Sequence, residues 1–379
     1  MYSARESHMQ RQYSLDVLRG AAAVGVAYSH LIGKLKHDGY FDSTASFMYL
    51  ITKTYFDIGK FGVLVLFALS GYFIVQSLYT SGRRYEKPVM GFLGQRFFRL
   101  YPLYWLSLFF GVMFPWDDPA RIFSASTIFL NATMFQGFFF AENVIGLYWT
   151  LQIEICFYIL AIVLFLTRLG GTPRQDFLFL VFLYAFTLIL AYVRYRYAVK
   201  MPVALPLLVS VCFLGALWKS SDAARRPEWR RYTWAAVIMF YVTLLPICLL
   251  AYSHDAGFNE TWYRYFISYS IAMTVFLWAT TVSGKSLQAL APLGGVSYII
   301  FLMHPTIYAI AQRLGFHPSQ VDMPTMMYIA VMLSIVIVTA FFIRRTLSDH
   351  ILAYGQKTVS RLARKRPSVA APVQQSGMN

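Results

Sequence analysis

Asp16, Arg19 and His30 stand inside LDVLRGAAAVGVAYSHLI, the first long apolar run of the chain, over 15–32. An ionisable group within a membrane span costs roughly 2.5 to 3.5 kcal/mol on insertion scales, so it marks a functional site by default. The eleven residues from Arg19 to His30 rise roughly 16 Å on a helix and turn it about 1100°, close to three full turns. Both side chains then face the same way, Arg19 near one membrane surface and His30 deeper toward the other. Arg96 and Arg99, at i and i+3, share one face of a helix entrance, where two guanidinium forks suit a polyanion such as a phosphate. The plainer reading makes them a cytoplasmic stop signal, since Lys and Arg flank almost every apolar run. Glu154 lies about a turn and a half past Trp149 within another apolar run, and a carboxylate there needs a cation or a donor nearby. His304, in GGVSYIIFLMHPTIY, is either a site residue or the mark of a kink at Pro305 with its imidazole satisfied internally.

The elements that must position these residues are spans. Hydrophobic residues are 58% of the 379 and charged residues 13%, against about 45–50% and 25% in soluble domains. That composition predicts an all-α integral membrane protein, with apolar runs of the length that crosses a bilayer, about 20 residues, recurring from end to end. The expected spans lie near 15–32, 58–79, 100–114, 147–166, 177–193, 201–218, 232–252, 263–282, 291–311 and 325–343. Within the second, LFALSGYF places Ser70 beside Gly71, small residues that let another helix approach closely. A cytoplasmic segment over 1–14, a transmembrane domain over 15–345 and a basic, disordered tail over 346–379 complete the organisation.

The formal charge of +16 does not signal nucleic acid, because the basic residues sit in short connections and in the tail, a topological pattern. With ten spans, 23 of the 33 Lys and Arg fall on the side of the two termini, which makes that side cytoplasmic. An eleventh crossing at 122–138 would move the basic 219–231 connection and the tail outside, so that segment is expected to be re-entrant or interfacial. Cys156, Cys212 and Cys248 lie inside expected spans without CxxC spacing, and indicate neither disulfides nor a metal site. The first run has no small-residue cleavage site and is expected to stay as an anchor. The polar group His254, Asp255, Asn259 and Glu260 reads as a solvated loop.

LDVLRG with His30, LFALSGYF, RFFRLYP, YWTLQIEICFY and SYIIFLMHP together resemble the motif series of the membrane-bound acyltransferase 3 family, in the same order and over nearly the whole chain. The resemblance implies about ten spans and transfer of an acyl group, usually acetyl, from cytoplasmic acyl-coenzyme A to a hydroxyl. The acceptors it implies are polysaccharides, lipid-linked sugars or secondary metabolites. It sets the family's arginine and catalytic histidine on Arg19 and His30, its paired arginines on Arg96 and Arg99, and its Trp and Glu on Trp149 and Glu154. Two positions depart from the pattern. Leu64 stands where many members have a polar residue, and Thr150 replaces a serine but keeps a hydroxyl.

On that basis the expected acyl-CoA site is Arg19, Arg96 and Arg99, and the expected catalytic residues are His30, as general base or as an acyl carrier, and Glu154, which orients or charge-balances His30 or an arginine. Asp16, Ser70, Trp149 and His304 are expected to support the site. Acetyl-CoA enters as donor with no tightly bound cofactor, and the remaining partners are the acceptor and membrane lipids of the inner (plasma) membrane. An envelope polysaccharide is the first expectation for the acceptor, and a macrolide-type molecule or a lipid the next. A transporter or flippase would also bury charge, but such proteins show two similar halves with broken helices at matching positions, and no such repeat is present.

Overall fold

The computed structural model describes residues 12–254, 260–318 and 320–364, and its regular elements are helical. In order they are α1 (Tyr13–His37), α2 (Ser43–Tyr49) running into a π turn (Leu50–Tyr55), α3 (Ile58–Arg84), α4 (Pro88–Met113) and α5 (Ala125–Ala132). Two 3₁₀ turns (Gln136–Phe139 and Gly146–Tyr148) lead to α6 (Trp149–Thr167), α7 (Pro173–Tyr197), α8 (Ala204–Ala224), α9 (Pro227–Tyr252) and α10 (Trp262–Thr281). A third 3₁₀ turn (Lys285–Leu290), α11 (Pro292–Arg313), α12 (Thr325–Ile343), a π turn (Arg344–Ser348) and α13 (Asp349–Leu362) follow. Among the described residues ten helices have 19 or more residues. Eight stretches are long and apolar enough to cross a membrane, and α4 and α10, at 26 and 20 residues, have the length but fall short on composition. The protein is a multi-pass membrane protein.

Local sequence sets the helix starts. Proline opens α4, α7, α9 and α11, where its fixed φ is already helical and its missing N–H costs nothing. The Asp57 carboxylate caps α3 by accepting from the Gly59 and Lys60 amides, at 2.9 and 3.2 Å. At the centre α1 packs on α3 and α11, and α3 packs on α8. The last contact is backbone against backbone. A Cβ on Gly71 would fall 1.7 Å from the Cys212 carbonyl oxygen, and one on Gly215 would fall 2.2 Å from that of Ala68. Small residues permit this close approach, from which membrane helices draw packing energy. Leu64, the apolar departure noted above, is fully buried in the core.

The segment at 122–138 does not cross. Helix α5 has eight residues, about 12 Å, against a hydrocarbon core of about 30 Å. Its irregular backbone is satisfied by one face of α4: Tyr104 Oη donates to the Asn131 carbonyl at 2.7 Å, Trp105 Nε1 to Ala132 at 2.9 Å and Tyr101 Oη to Thr133 at 3.1 Å. Asn131 closes the loop, donating to the Glu142 carbonyl and accepting from the Val144 amide. Non-helical backbone at membrane depth survives only where protein partners of this kind hold it.

Three boundaries differ from expectation. The third long helix begins at Pro88 rather than near residue 100, because Arg96 and Arg99 interrupt an apolar pattern without interrupting a helix, being good helix formers. Helix α1 starts at Tyr13, taking in residues assigned to the N-terminal segment. The tail expected to be disordered is helical through Leu362, since α13 has an apolar face that docks on α4, with Gly355 against Phe98 and Gly94 against Val359. Residues 365–379 lie outside the described part, as do residues 255–259, which hold Asp255 and Asn259 of the polar group. Its other members are engaged: His254 stacks on Tyr195, and Glu260 pairs with Arg194.

Candidate active site

Two cavities lie end to end along α1. The first, of about 350 Å³, is lined by Asp16 and Arg19 of α1, Ser70 and Phe73 of α3, Arg96 and Arg99 of α4, Glu154 of α6, and Tyr298 of α11. The second, of about 240 Å³, is lined by His30 and Lys34 of α1, Trp116 and Asp117 of the connection between α4 and α5, Trp149 at the start of α6, and Pro305 of α11. Val63, Thr150 and Phe301 line both. The eleven-residue spacing on α1 thus puts Arg19 in one cavity and His30 in the other.

The first cavity has a cationic lining. Three guanidiniums face two carboxylates, an excess of one cation before any ligand enters. The Arg19 guanidinium lies 4.7 Å from the centre of the Phe73 ring, and that of Arg96 lies 5.4 and 5.9 Å from the rings of Phe92 and Tyr158. Stacking of this kind holds a guanidinium plane in place. Nε of Arg96 is buried with no hydrogen-bond partner among the described residues, while Glu154 accepts a short hydrogen bond from the Tyr158 hydroxyl. Tyr298 Oη donates to the Leu100 carbonyl at 3.1 Å, pinning α11 to α4 at the cavity wall.

The second cavity holds an imidazole with its protons assigned. His304, fully buried on α11, has Nδ1 3.1 Å from the Ile300 carbonyl oxygen. A carbonyl only accepts, so Nδ1 carries the proton, and in a neutral ring Nε2 is then the acceptor. His30 Nδ1 lies 2.8 Å from that Nε2 and must donate to it. The unprotonated nitrogen of His30 is therefore Nε2, on the ring that lines the cavity. The two rings stack with centroids 5.1 Å apart, and neither pairs with a carboxylate among the described residues. This is how a general base is oriented when a neutral partner replaces the usual acid.

Of the residues expected from sequence, Asp16, Arg19, Ser70, Arg96, Arg99 and Glu154 come together in the first cavity. His30 and Trp149 share the second. Glu154 sits with the arginines and lines no wall of the His30 cavity. His304 lines neither cavity, and the imidazole that is satisfied internally by the Ile300 carbonyl is the one that meets His30. Thr150 donates its hydroxyl to the Leu147 carbonyl at 2.8 Å. Sequence reasoning did not single out Phe73, Tyr298, Lys34 or Trp116. Lys34 had a signal, standing four residues past His30 on the same helix face, whereas the others look like ordinary apolar residues.

A family model described as an acyltransferase domain, acyltransferase 3, matches residues 12–344. No curated protein and no solved structure matches the chain.

Proposed function

This chain belongs to the acyltransferase 3 family and is a membrane acyltransferase; from that premise we propose that it moves an acetyl group from cytoplasmic acetyl-CoA to a hydroxyl of an envelope polysaccharide or lipid-linked sugar in the inner membrane. The observation that carries this reading is the pair of cavities meeting at Val63, Thr150 and Phe301, with a cationic site in one and a base in the other. Arg19, Arg96 and Arg99 hold the phosphates of coenzyme A by charge-assisted hydrogen bonds. The pantetheine arm runs toward Thr150, which brings the thioester to the junction. The acceptor enters the second cavity, where Trp116 and Trp149 offer aromatic faces and Asp117 a carboxylate to a polyhydroxylated ring.

His30 Nε2 takes the proton of the acceptor hydroxyl as its oxygen bonds to the thioester carbonyl carbon. The tetrahedral intermediate collapses with cleavage of the C–S bond, and the departing thiolate receives the proton from His30. His304 stabilises the transient imidazolium by accepting from Nδ1. Glu154, with Asp16, charge-balances the arginines, so that the empty donor site carries an excess of one cation rather than two.

The test is the O-acetyl content of the envelope polysaccharide in a deletion strain complemented with wild type, His30→Ala or His30→Gln. A positioned base contributes about 10² to 10⁴ in rate, so both variants should accumulate in the membrane and leave the polymer unacetylated. In membranes assayed over a range of acetyl-CoA concentrations, Arg96→Lys keeps the charge but loses the fork, and should raise KM for acetyl-CoA more than it lowers kcat. Full acetylation from either His30 variant removes the general-base assignment.

A further inference from the structure

A third cavity, larger than either of those at the active site at about 910 Å³, opens where α8 ends, α9 begins and α10 ends. It shares no lining residue with the other two and lies on the face of the bundle that carries the start of α1. Ser14 Oγ donates there to the Ala279 and Val282 carbonyls at 2.8 and 2.7 Å, and Trp218 Nε1 donates to Thr280 Oγ1 at 3.0 Å. Its walls combine Arg225, Arg226 and Arg230 with Trp218, Trp234 and Trp278. Among the described residues the only acidic one lining it is Asp222, 4.0 Å from Lys219. The three arginines are exposed, and none of their guanidiniums forms an ion pair among the described residues.

Two features of this groove suit a membrane lipid. Trp234 and Trp278 are 45% and 63% exposed near the ends of spanning helices, the level at which indoles sit among headgroups. Three guanidiniums against one carboxylate leave an excess of two cations, and the guanidinium fork matches phosphate oxygens in pairs. A basic pocket between spanning helices is a recurrent way to hold an anionic headgroup. We propose that this groove binds the headgroup of an anionic phospholipid, its phosphate on Arg225, Arg226 and Arg230 and its glycerol and upper acyl carbons along Trp234 and Trp278. The site is structural or regulatory and independent of the transfer chemistry, whose residues lie in the other cavities.

The experiment measures lipid retention on the purified full chain by native mass spectrometry, titrating phosphatidylglycerol and phosphatidylcholine. Wild type should bind phosphatidylglycerol selectively. The triple variant Arg225→Gln, Arg226→Gln, Arg230→Gln should bind it about 100-fold more weakly, as expected when several basic residues near a membrane surface are lost. Replacing Arg83 and Arg84, an exposed pair at the end of α3, by Gln is the control for general loss of charge and should leave binding unchanged. Equal loss in that control, or equal retention by the triple variant, overturns the site. The donor's nucleotide is the other source of phosphate, and adding 3′,5′-ADP to wild type distinguishes it without any variant. Displacement of the lipid by the nucleotide overturns the lipid assignment, and persistence of the lipid supports it.

Discussion

The proton on His30 is placed by His304, which lines neither cavity. Because the Ile300 carbonyl fixes the tautomer of His304, and His304 fixes that of His30, the role we propose for His304 is to orient the base. His304→Phe retains the stacked ring and removes the acceptor, so the His30 imidazole is free to turn or to present Nδ1. Outer partners that orient metal-bound histidines are worth about 10- to 100-fold, and a loss of that order is expected here. The loss should fall on kcat, with KM for either substrate little changed, and the pH profile of kcat should shift because the imidazolium loses its hydrogen-bond acceptor. An unchanged kcat and pH profile would make His304 a packing residue. In the sequence His304 reads only as a polar group in a span next to a proline. Its partner is 274 positions away, and no local pattern reports such a pairing. Arg19 and His30, by contrast, were legible because one helix carries both and its period fixes their common face. Which cavity Glu154 serves was not legible: it lies only about 7.5 Å along α6 from Trp149, yet the two line different spaces.

Between elements, the outer ends of the helices are tied by single polar residues. Asp42 caps α2 through the Ala45 amide at 2.7 Å and also accepts from the Thr325 amide, at 3.1 Å, at the start of α12. The Ala45 bond first, and then the Thr325 bonds, hold its carboxyl below the ordinary value of 3.8 despite some desolvation. A depressed carboxylate stabilises the fold at pH values above its unfolded pKa, and that contribution disappears as pH falls through the folded one. Asp42→Ala should therefore lower stability by about 1 kcal/mol at pH 7, as cap removal does, and the gap from wild type should narrow below pH about 4. Thermal unfolding in detergent at pH 7 and pH 3 measures both. At this scale, composition misled where periodicity would have helped. Basic, Ser- and Gln-rich residues hid the apolar face of α13, and arginines hid the first three turns of α4.

Across the whole molecule the charge asymmetry makes a topological prediction. Reporter fusions after Thr80 and after Ser220, and at the C-terminus, should all report cytoplasm, because 23 of the 33 basic residues then lie there. A periplasmic signal at the 219–231 connection would require one more crossing before it. The same asymmetry made 122–138 legible as a segment that does not span, although nothing in its sequence shows that α4 donates three side-chain hydrogen bonds to hold it. The ten long helices were readable from hydropathy except at the start of α4, where Arg96 and Arg99 break the apolar run close to the helix entrance.

Since His30 and His304 stand 274 residues apart, the reactive centre has a birth time. At typical synthesis rates the ribosome needs roughly 14 to 55 s to travel between them. Once α1 has left the ribosome and entered the bilayer, Asp16, Arg19 and His30 lie on it with no α11 to cover them for the rest of that interval. Something other than the finished fold must shelter that face, whether insertion machinery or earlier helices such as α3. A nascent or truncated chain ending before α11 has Arg19, Arg96 and Arg99 but not the His304 that orients His30, so on the proposed mechanism transfer to the acceptor begins only once α11 has been made.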